Sequence, residues 1–358
     1  MLSAVNLKEA AKICLFNASY LLGYPLCGPD TLQISLTNRC NLSCKMCSVR
    51  KYATPKDQEM SVAEIEKIII SVKRQFGVRR LILTGGEPLL IGSNVVDIAR
   101  LAKKEGLSVI ITTSAFFLAE YAHDLADSGV AHFHISIDGL RDVHNEIREN
   151  PLSFDKATEG IRILADIRSR NNLKYTIGVA TVILRNNIKE LCGLYKYADE
   201  LKVDIFDLFP YLPDNTDFSS LDRTALWPDD RNLRDFNNVY KEICRLKTNH
   251  IRVNPYFDIR LIIKYYTRTI SHNDWRCFAG FRNIFITMSD PNKTGRYEPC
   301  LFLCKEHIPI REHSYNLRKI WYSGQATTAR LAVRRCDSYC YQMCFSLPPV
   351  FKVITQNN

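Results

Sequence analysis

Three cysteines, Cys40, Cys44 and Cys47, stand within the stretch TNRCNLSCKMCSV, separated by three and then by two residues. Thiolates at this spacing are metal ligands, and their number bears on which metal. Structural zinc takes four ligands, usually as paired C-x2-4-C knuckles, and this stretch supplies three. Ferredoxin runs place a fourth cysteine close behind, and none follows here within reach. Three thiolates suit a four-iron cluster that keeps one iron open, and an open position is where a metal site does chemistry.

Two polar motifs follow. In TGGEP, Thr84 to Pro88, Gly85 and Gly86 let a backbone approach a ligand closely, and Glu87 can accept hydrogen bonds from an ammonium group. In SIDG, Ser136 to Gly139, Ser136 and Asp138 can bind sugar hydroxyls or cap a turn. Arg148 can pair with a ligand carboxylate or form a surface ion pair. An amine, a carboxylate and a ribose beside an open iron describe S-adenosylmethionine.

Elements of a parallel α/β fold must position these groups. Apolar β-type runs at Leu32–Thr37, Arg80–Thr84, Ser108–Thr113, His132–Ile137, Tyr175–Val182 and Asp204–Phe209 alternate with helical patterns such as Ser61–Phe76. Gly106 and Gly129 stand where helix C-caps are wanted. Six βα units in series predict a parallel sheet covered by helices, doubly wound or a whole or partial barrel. A barrel collects its functional groups on the loops after the strands, where the cysteines, TGGEP and SIDG all fall. Ile13 to Tyr24 reads as an amphipathic helix leading into the first strand. Pro213–Pro228 reads as a polar connector, and Asp229–Leu246 and Tyr256–Arg268 as helices.

On these residues the chain resembles the radical S-adenosylmethionine (radical SAM) superfamily. The matching features are the triad Cys40, Cys44, Cys47, then Gly85, Gly86, Glu87, then the SIDG segment with Arg148. The resemblance covers residues 31–212, about half of the chain. It implies a partial (β/α)6 TIM-like barrel whose [4Fe-4S] cluster binds S-adenosylmethionine. It also implies reductive cleavage to a 5′-deoxyadenosyl radical that abstracts a substrate hydrogen, with the electron from a flavodoxin- or ferredoxin-type reductant. The sequence departs from the family at Met46, where an aromatic residue is common, and at Thr112-Thr113-Ser114-Ala115, where Thr-Asn-Gly is often seen. No role is carried onto that second segment, and no catalytic residue is assigned.

From Trp275 the pattern changes to cysteines, glycines and short strands. Cys277 and Cys300 flank a hairpin-like stretch with Gly295 and Pro299, Asn316–Trp321 follows, and Cys336, Cys340 and Cys344 close the region. This resembles the SPASM/Twitch extension of radical SAM enzymes and implies a small α+β cap over residues 275–347 with one auxiliary [4Fe-4S] cluster. The resemblance assigns Cys277, Cys300, Cys340 and Cys344 as its ligands, with Cys336 left over. Structural zinc at the same thiolates is the alternative. The remaining parts are residues 1–30 as a helical lead-in, 213–274 as connector and helices, and 348–358 as a tail.

Bulk properties agree with this division. An odd total of 13 cysteines, unevenly spaced and without an export signal, does not read as a secreted disulfide scaffold, and a cytoplasmic chain is expected. Cys14, Cys27, Cys192, Cys244 and Cys304 read as buried or incidental thiols. No apolar run is long enough to span a membrane. The net charge of +10 lacks a basic, aromatic-interleaved module, so no nucleic-acid partner is expected. The substrate class is a peptide or protein side chain or a small anionic metabolite. An iron–sulfur electron carrier or sensor without turnover is the competing class. The roughly 30 residues before the first strand are too few for an independent peptide-recognition domain.

Overall fold

The computed structural model describes residues 4–212, 225–246, 250–253, 258–288, 295–300, 307–337, 340–341 and 345–347. Helix α1 (Ala4–Leu22) leads into six βα units: β1 (Thr31–Ser35), α2 (Val62–Phe76), β2 (Arg80–Thr84), α3 (Asn94–Lys104), β3 (Ser108–Thr113), α4 (Leu118–Asp127), β4 (Val130–Ser136), α5 (Arg141–Arg148), α6 (Ser153–Asn171), β5 (Thr176–Ile183), α7 (Leu191–Glu200) and β6 (Ile205–Pro210). Then come α8 (Asp230–Arg245), β7 (Arg252–Val253), α9 (Ile259–Tyr266), β8 (Asn283–Thr287), β9 (Arg296–Tyr297), β10 (Ile308–Pro309), α10 (Leu317–Trp321) and α11 (Gly324–Arg334). The expected start of α9 at Tyr256 and most of the Pro213–Pro228 connector lie outside the described residues.

The strands form one sheet in the order β10-β9-β8-β1-β2-β3-β4-β5-β6-β7, with β1 to β6 parallel throughout. This is the partial barrel with its helices outside. Side chains of a strand alternate between faces. Leu32, Ile34, Leu81, Leu83, Val109, Ile111, Phe133 and Ile135 are buried in the main hydrophobic core, with Ile65, Ile69 and Val72 of α2 in the same cluster. The alternate positions, among them Gln33, Ile82, Ile110, His132, His134, Ala180 and Asp207, line an internal cavity.

The helix ends follow local rules. Ser61 and Glu64 form a reciprocal capping box at the start of α2, and Gly77 closes it in the left-handed region at φ +64°.

The sheet runs on into the C-terminal region. β8 pairs in parallel along the whole of β1, from Thr31 opposite Asn283 to Ser35 opposite Thr287, and β9 and β10 add antiparallel edges. The change of pattern at Trp275 is thus local, while the ladder crosses it. Every residue of β8 is buried, which is what a strand covering an open edge requires. The Glu64 carboxylate then joins the two regions. It accepts from Arg311 Nε at 2.5 Å and Nη2 at 2.9 Å and from the Tyr315 hydroxyl at 2.6 Å.

Candidate functional site

The cavity measures about 550 Å³ and opens at the C-terminal ends of the parallel strands. Cys40, Cys44, Met46 and Cys47 line it beside Gly85, Gly86, Ser136 and Arg148. Backbone bonds hold the cysteine loop in place. Cys47 N–H donates to Cys44 O at 3.0 Å, and Lys45 N–H to Ile147 O of α5 at 2.9 Å. Lys45 also pairs with Glu146 at 2.7 Å. Arg39 forks onto Glu59 at 3.1 and 2.9 Å and pins the strand exit.

The two glycines serve the approach of one loop to another as well as lining the cavity. A Cβ on Gly85, at φ +143°, would fall 2.3 Å from Thr37 O, and one on Gly86 would fall 2.2 Å from Arg39 O. Their absence of side chains lets Gly86 N–H donate to Thr37 O at 2.6 Å and Glu87 N–H to Arg39 O at 2.9 Å. The cysteine loop and the TGGEP loop are thereby clasped together.

Glu87 departs from the role its sequence suggests. It is fully buried and is not among the cavity-lining residues. Its Oε1 accepts from Leu89 N–H at 3.0 Å and the Thr113 hydroxyl at 2.6 Å, and Oε2 from Ser114 N–H at 2.9 Å and the Ser114 hydroxyl at 2.5 Å. Two lone pairs per oxygen are then all used, and none is left for a ligand ammonium. Thr113 and Ser114 belong to the segment that departs from the family pattern, and fastening Glu87 is what they do here.

Asp138 and Arg148 also turn inward. The Asp138 carboxylate accepts from Arg148 Nε at 2.7 Å and Nη2 at 2.6 Å, and from Val182 N–H at 3.0 Å. Asp138 N–H donates to His144 Nδ1 at 3.0 Å. Asp138 therefore does not line the cavity, in contrast to the ribose contact its motif suggests, while Ser136 does. Arg148 reaches the Cys44 sulfur at 3.7 Å, so the expected partner of this guanidinium, a ligand carboxylate, is replaced by a protein carboxylate and a thiol. Burial opposes the charge on Arg148, but Asp138 and Cys44 outweigh it and hold its pKa above the ordinary value.

The thiols are pushed the other way. Burial raises Cys40 to about 11, and it raises Cys44 despite the neighbouring Arg148. A thiol must release its proton to bind iron, so assembly of a metal group works against this burial.

In the C-terminal region Cys277 is half-buried and Cys300 buried, and Cys336 and Cys340 are half-buried. Burial raises the Cys277 pKa well above its ordinary value, and the thiols of Cys340, Cys300 and Cys336 add to the rise as electrostatic neighbours. The structure thus gathers these four, while Cys344 and Cys304 lie outside the described residues. Of the other thiols Cys192 is buried against Glu242, but Cys14 and Cys244 are exposed. A tetrahedral zinc site with bonds near 2.3 Å needs sulfurs only about 3.8 Å apart. Among the described residues the one group of three donors all within 4.8 Å of one another contains no cysteine. Among the described residues, then, no three thiols stand within 4.8 Å of one another.

That one group is His132, His134 and Asp207, which sequence reasoning missed. A signal was available: two histidines two apart, on one face of an otherwise apolar strand. All three line the cavity. Burial lowers the His132 pKa to about 4, with His134 adding to the fall.

The site thus combines a parallel partial barrel with three thiols that line its cavity. Residues 34–198 match the Radical SAM superfamily and form a radical SAM domain. The chain is 30% identical over 192 residues to a GTP 3′,8-cyclase of Peptoclostridium acidaminophilum, a match covering 50% of this chain and 55% of that one. It spans about half the length of such cyclases. It is 25% identical over 307 residues to an AdoMet-dependent heme synthase of Methanosarcina barkeri, covering 83% of each. Among solved structures the fold is similar to Streptococcus suis SuiB bound to S-adenosylmethionine, with TM-score 0.64, 17% identity and coverage of 88% of this chain and 69% of that one. It is also similar to anSMEcpe with bound AdoMet and Cp18Cys peptide, with TM-score 0.60, 15% identity and coverage of 88% and 86%. Among the described residues no helix is long and apolar enough to cross a membrane.

Proposed function

We propose that Cys40, Cys44 and Cys47 hold a [4Fe-4S] cluster and that the chain uses S-adenosylmethionine to start a radical reaction on a substrate in the lumen. The observation that carries this reading is the placing of three cysteines at the mouth of a cavity of about 550 Å³. A cluster so held supplies the electron that cleaves S-adenosylmethionine to methionine and a 5′-deoxyadenosyl radical, which takes a hydrogen atom from the substrate. Around it, Gly85, Gly86 and Ser136 offer backbone and hydroxyl contacts to the cofactor, and Met46 offers a polarisable thioether to its adenine. Glu87 and Asp138 act one layer further out, fixing the loops that carry these contacts, and Asp138 holds Arg148 at the cavity wall beside Cys44. Ile82, Ile110, Val182 and Phe209 form an apolar wall that keeps water from a reactive intermediate.

An auxiliary [4Fe-4S] cluster, held by Cys277, Cys300, Cys340 and Cys344 in a cap over residues 275–347, belongs to the same proposal. The proximity of Cys277 to Cys300 and Cys340 supports it. The substrate is a peptide or protein side chain or a small anionic metabolite, and a flavodoxin- or ferredoxin-type protein is the reductant. An iron–sulfur carrier without turnover has no use for a lumen of this size next to its thiols.

Anaerobically reconstituted protein, absorbing near roughly 400 nm through cluster charge transfer, is expected to form 5′-deoxyadenosine and methionine when reduced with dithionite. The Cys40→Ala/Cys44→Ala/Cys47→Ala variant is expected to form neither. Equal product from that variant overturns the assignment, and a loaded wild type that forms no product favours the carrier.

A further inference from the structure

We propose that His132, His134 and Asp207 form a binding site for one divalent first-row transition-metal ion inside the lumen. This goes beyond the cluster reading and does not depend on it. Two imidazoles and one carboxylate, with open positions facing a cavity, are the donor set of catalytic zinc and of non-haem iron(II) sites.

The site is built across three strands. His132 and His134 stand two apart on β4, so both face inward. Asp207 stands on β6, which does not adjoin β4, because β5 runs between them. Opposite this region β5 carries small residues: Gly178 pairs with His134, and Ala180 pairs with Asp207. A Cβ on Gly178 would lie 2.7 Å from His132 Cε1 and 2.9 Å from its Nε2. Glycine there leaves the space the imidazole occupies, and His134 Nε2 reaches over β5 to Asp207 Oδ2 at 3.1 Å.

Two further details fit a ligand role. Thr176 Oγ1 donates to Ala131 O at 3.4 Å and lies 2.7 Å from His132 Nδ1. In the tautomer that carries its proton on Nδ1, this contact is a donation to Thr176 and Nε2 keeps its lone pair for a metal. This is the second-layer bond that orients ligating histidines. The second oxygen of Asp207, Oδ1, is buried and has no hydrogen-bond partner. An unpaired buried carboxylate oxygen is costly, and a cation removes that cost. The three donor atoms lie within 4.8 Å of one another. Metal bonds of about 2.0–2.2 Å draw donors to roughly 3–4 Å, so small side-chain rotations close the set.

Manganese(II) tests the site, since it prefers nitrogen and oxygen donors and leaves the spare thiols silent. Reconstituted, desalted holoprotein is titrated with Mn2+, and free Mn2+ is read by electron paramagnetic resonance. One Mn2+ per chain is expected, with binding weakened at least tenfold in His134→Ala and in Asp207→Asn. Asp207→Asn keeps size and shape, so it remains informative if His134→Ala does not fold. The triple cysteine variant is expected to lose the cluster of the first cysteine loop, about half of its iron, but bind Mn2+ as the wild type does, which separates this proposal from the cluster assignment. A wild type that holds no Mn2+, or Asp207→Asn binding as tightly as wild type, overturns the site.

Discussion

At the scale of single residues, the two groups with most consequence are buried ions with all their partners inside the protein. Glu87 takes four hydrogen bonds from Leu89, Thr113 and Ser114. Its removal leaves buried donors unpaired, at about 1–3 kcal/mol for each group so stranded. Glu87→Ala is therefore expected to lower the stability of the cluster-free protein by at least about 2 kcal/mol, measured by urea denaturation. A variant as stable as wild type with weaker cofactor binding would return Glu87 to direct ligand contact. Arg148 is the stronger case, because Arg148→Ala strands the fully buried Asp138 carboxylate. Breaking one side of a buried pair costs about 3–5 kcal/mol. Arg148→Lys keeps the charge but loses the fork, and should fall between. Equal stability of all three forms would contradict the pairing.

At the scale of elements, the capping box of α2 doubles as the lock on the C-terminal region. Hydrogen bonds from Arg311 are the largest cause that lowers the Glu64 pKa, with burial opposing and Tyr315 and Ser61 adding to the fall. A carboxyl depressed on folding contributes stability that is present above its ordinary pKa of 4.5 and is lost as pH falls from there through the folded value. Glu64→Gln removes that contribution. The stability gap between wild type and Glu64→Gln is thus expected to be full at neutral pH and to narrow below pH 4.5. Denaturant melts at neutral and acid pH check it, and a gap that does not change with pH would show that Glu64 carries no such linkage.

At the scale of the whole molecule, β8 makes the C-terminal region part of the barrel's own sheet. A chain cut after Asp274 leaves the inner edge of β1 unpaired over five residues. Such an edge invites pairing between copies. Size-exclusion chromatography of that truncation is expected to show association or aggregation. A stable monomer would mean that the first 274 residues fold without their cover. Iron content tests the two-cluster reading at the same scale. Wild type should hold about eight irons and the Cys40/Cys44/Cys47 triple variant about four. Cys336→Ala should keep about eight and Cys340→Ala lose cluster or fold. The reverse pattern would exchange the roles of Cys336 and Cys340, both of which lie near Cys277.

What the sequence determined by itself is what is local. The strands at Arg80–Thr84 and Ser108–Thr113 have the bounds their apolar runs predict, and the helix read at Asp229–Leu246 forms as Asp230–Arg245. Alternation and capping act over a few residues, so they are written along the chain. The cysteine triad and the two glycines are likewise legible, because one loop contains each. What tertiary structure alone decided is who faces whom. Thr113 and Ser114 lie 26 and 27 residues from Glu87, and Asp207 lies 73 from His134. Nothing in local spacing says that a motif glutamate spends its whole carboxylate inside the protein, or that Gly178 lets a histidine reach over a strand. Those outcomes depend on strand order and register, which are set when the entire sheet closes on its core.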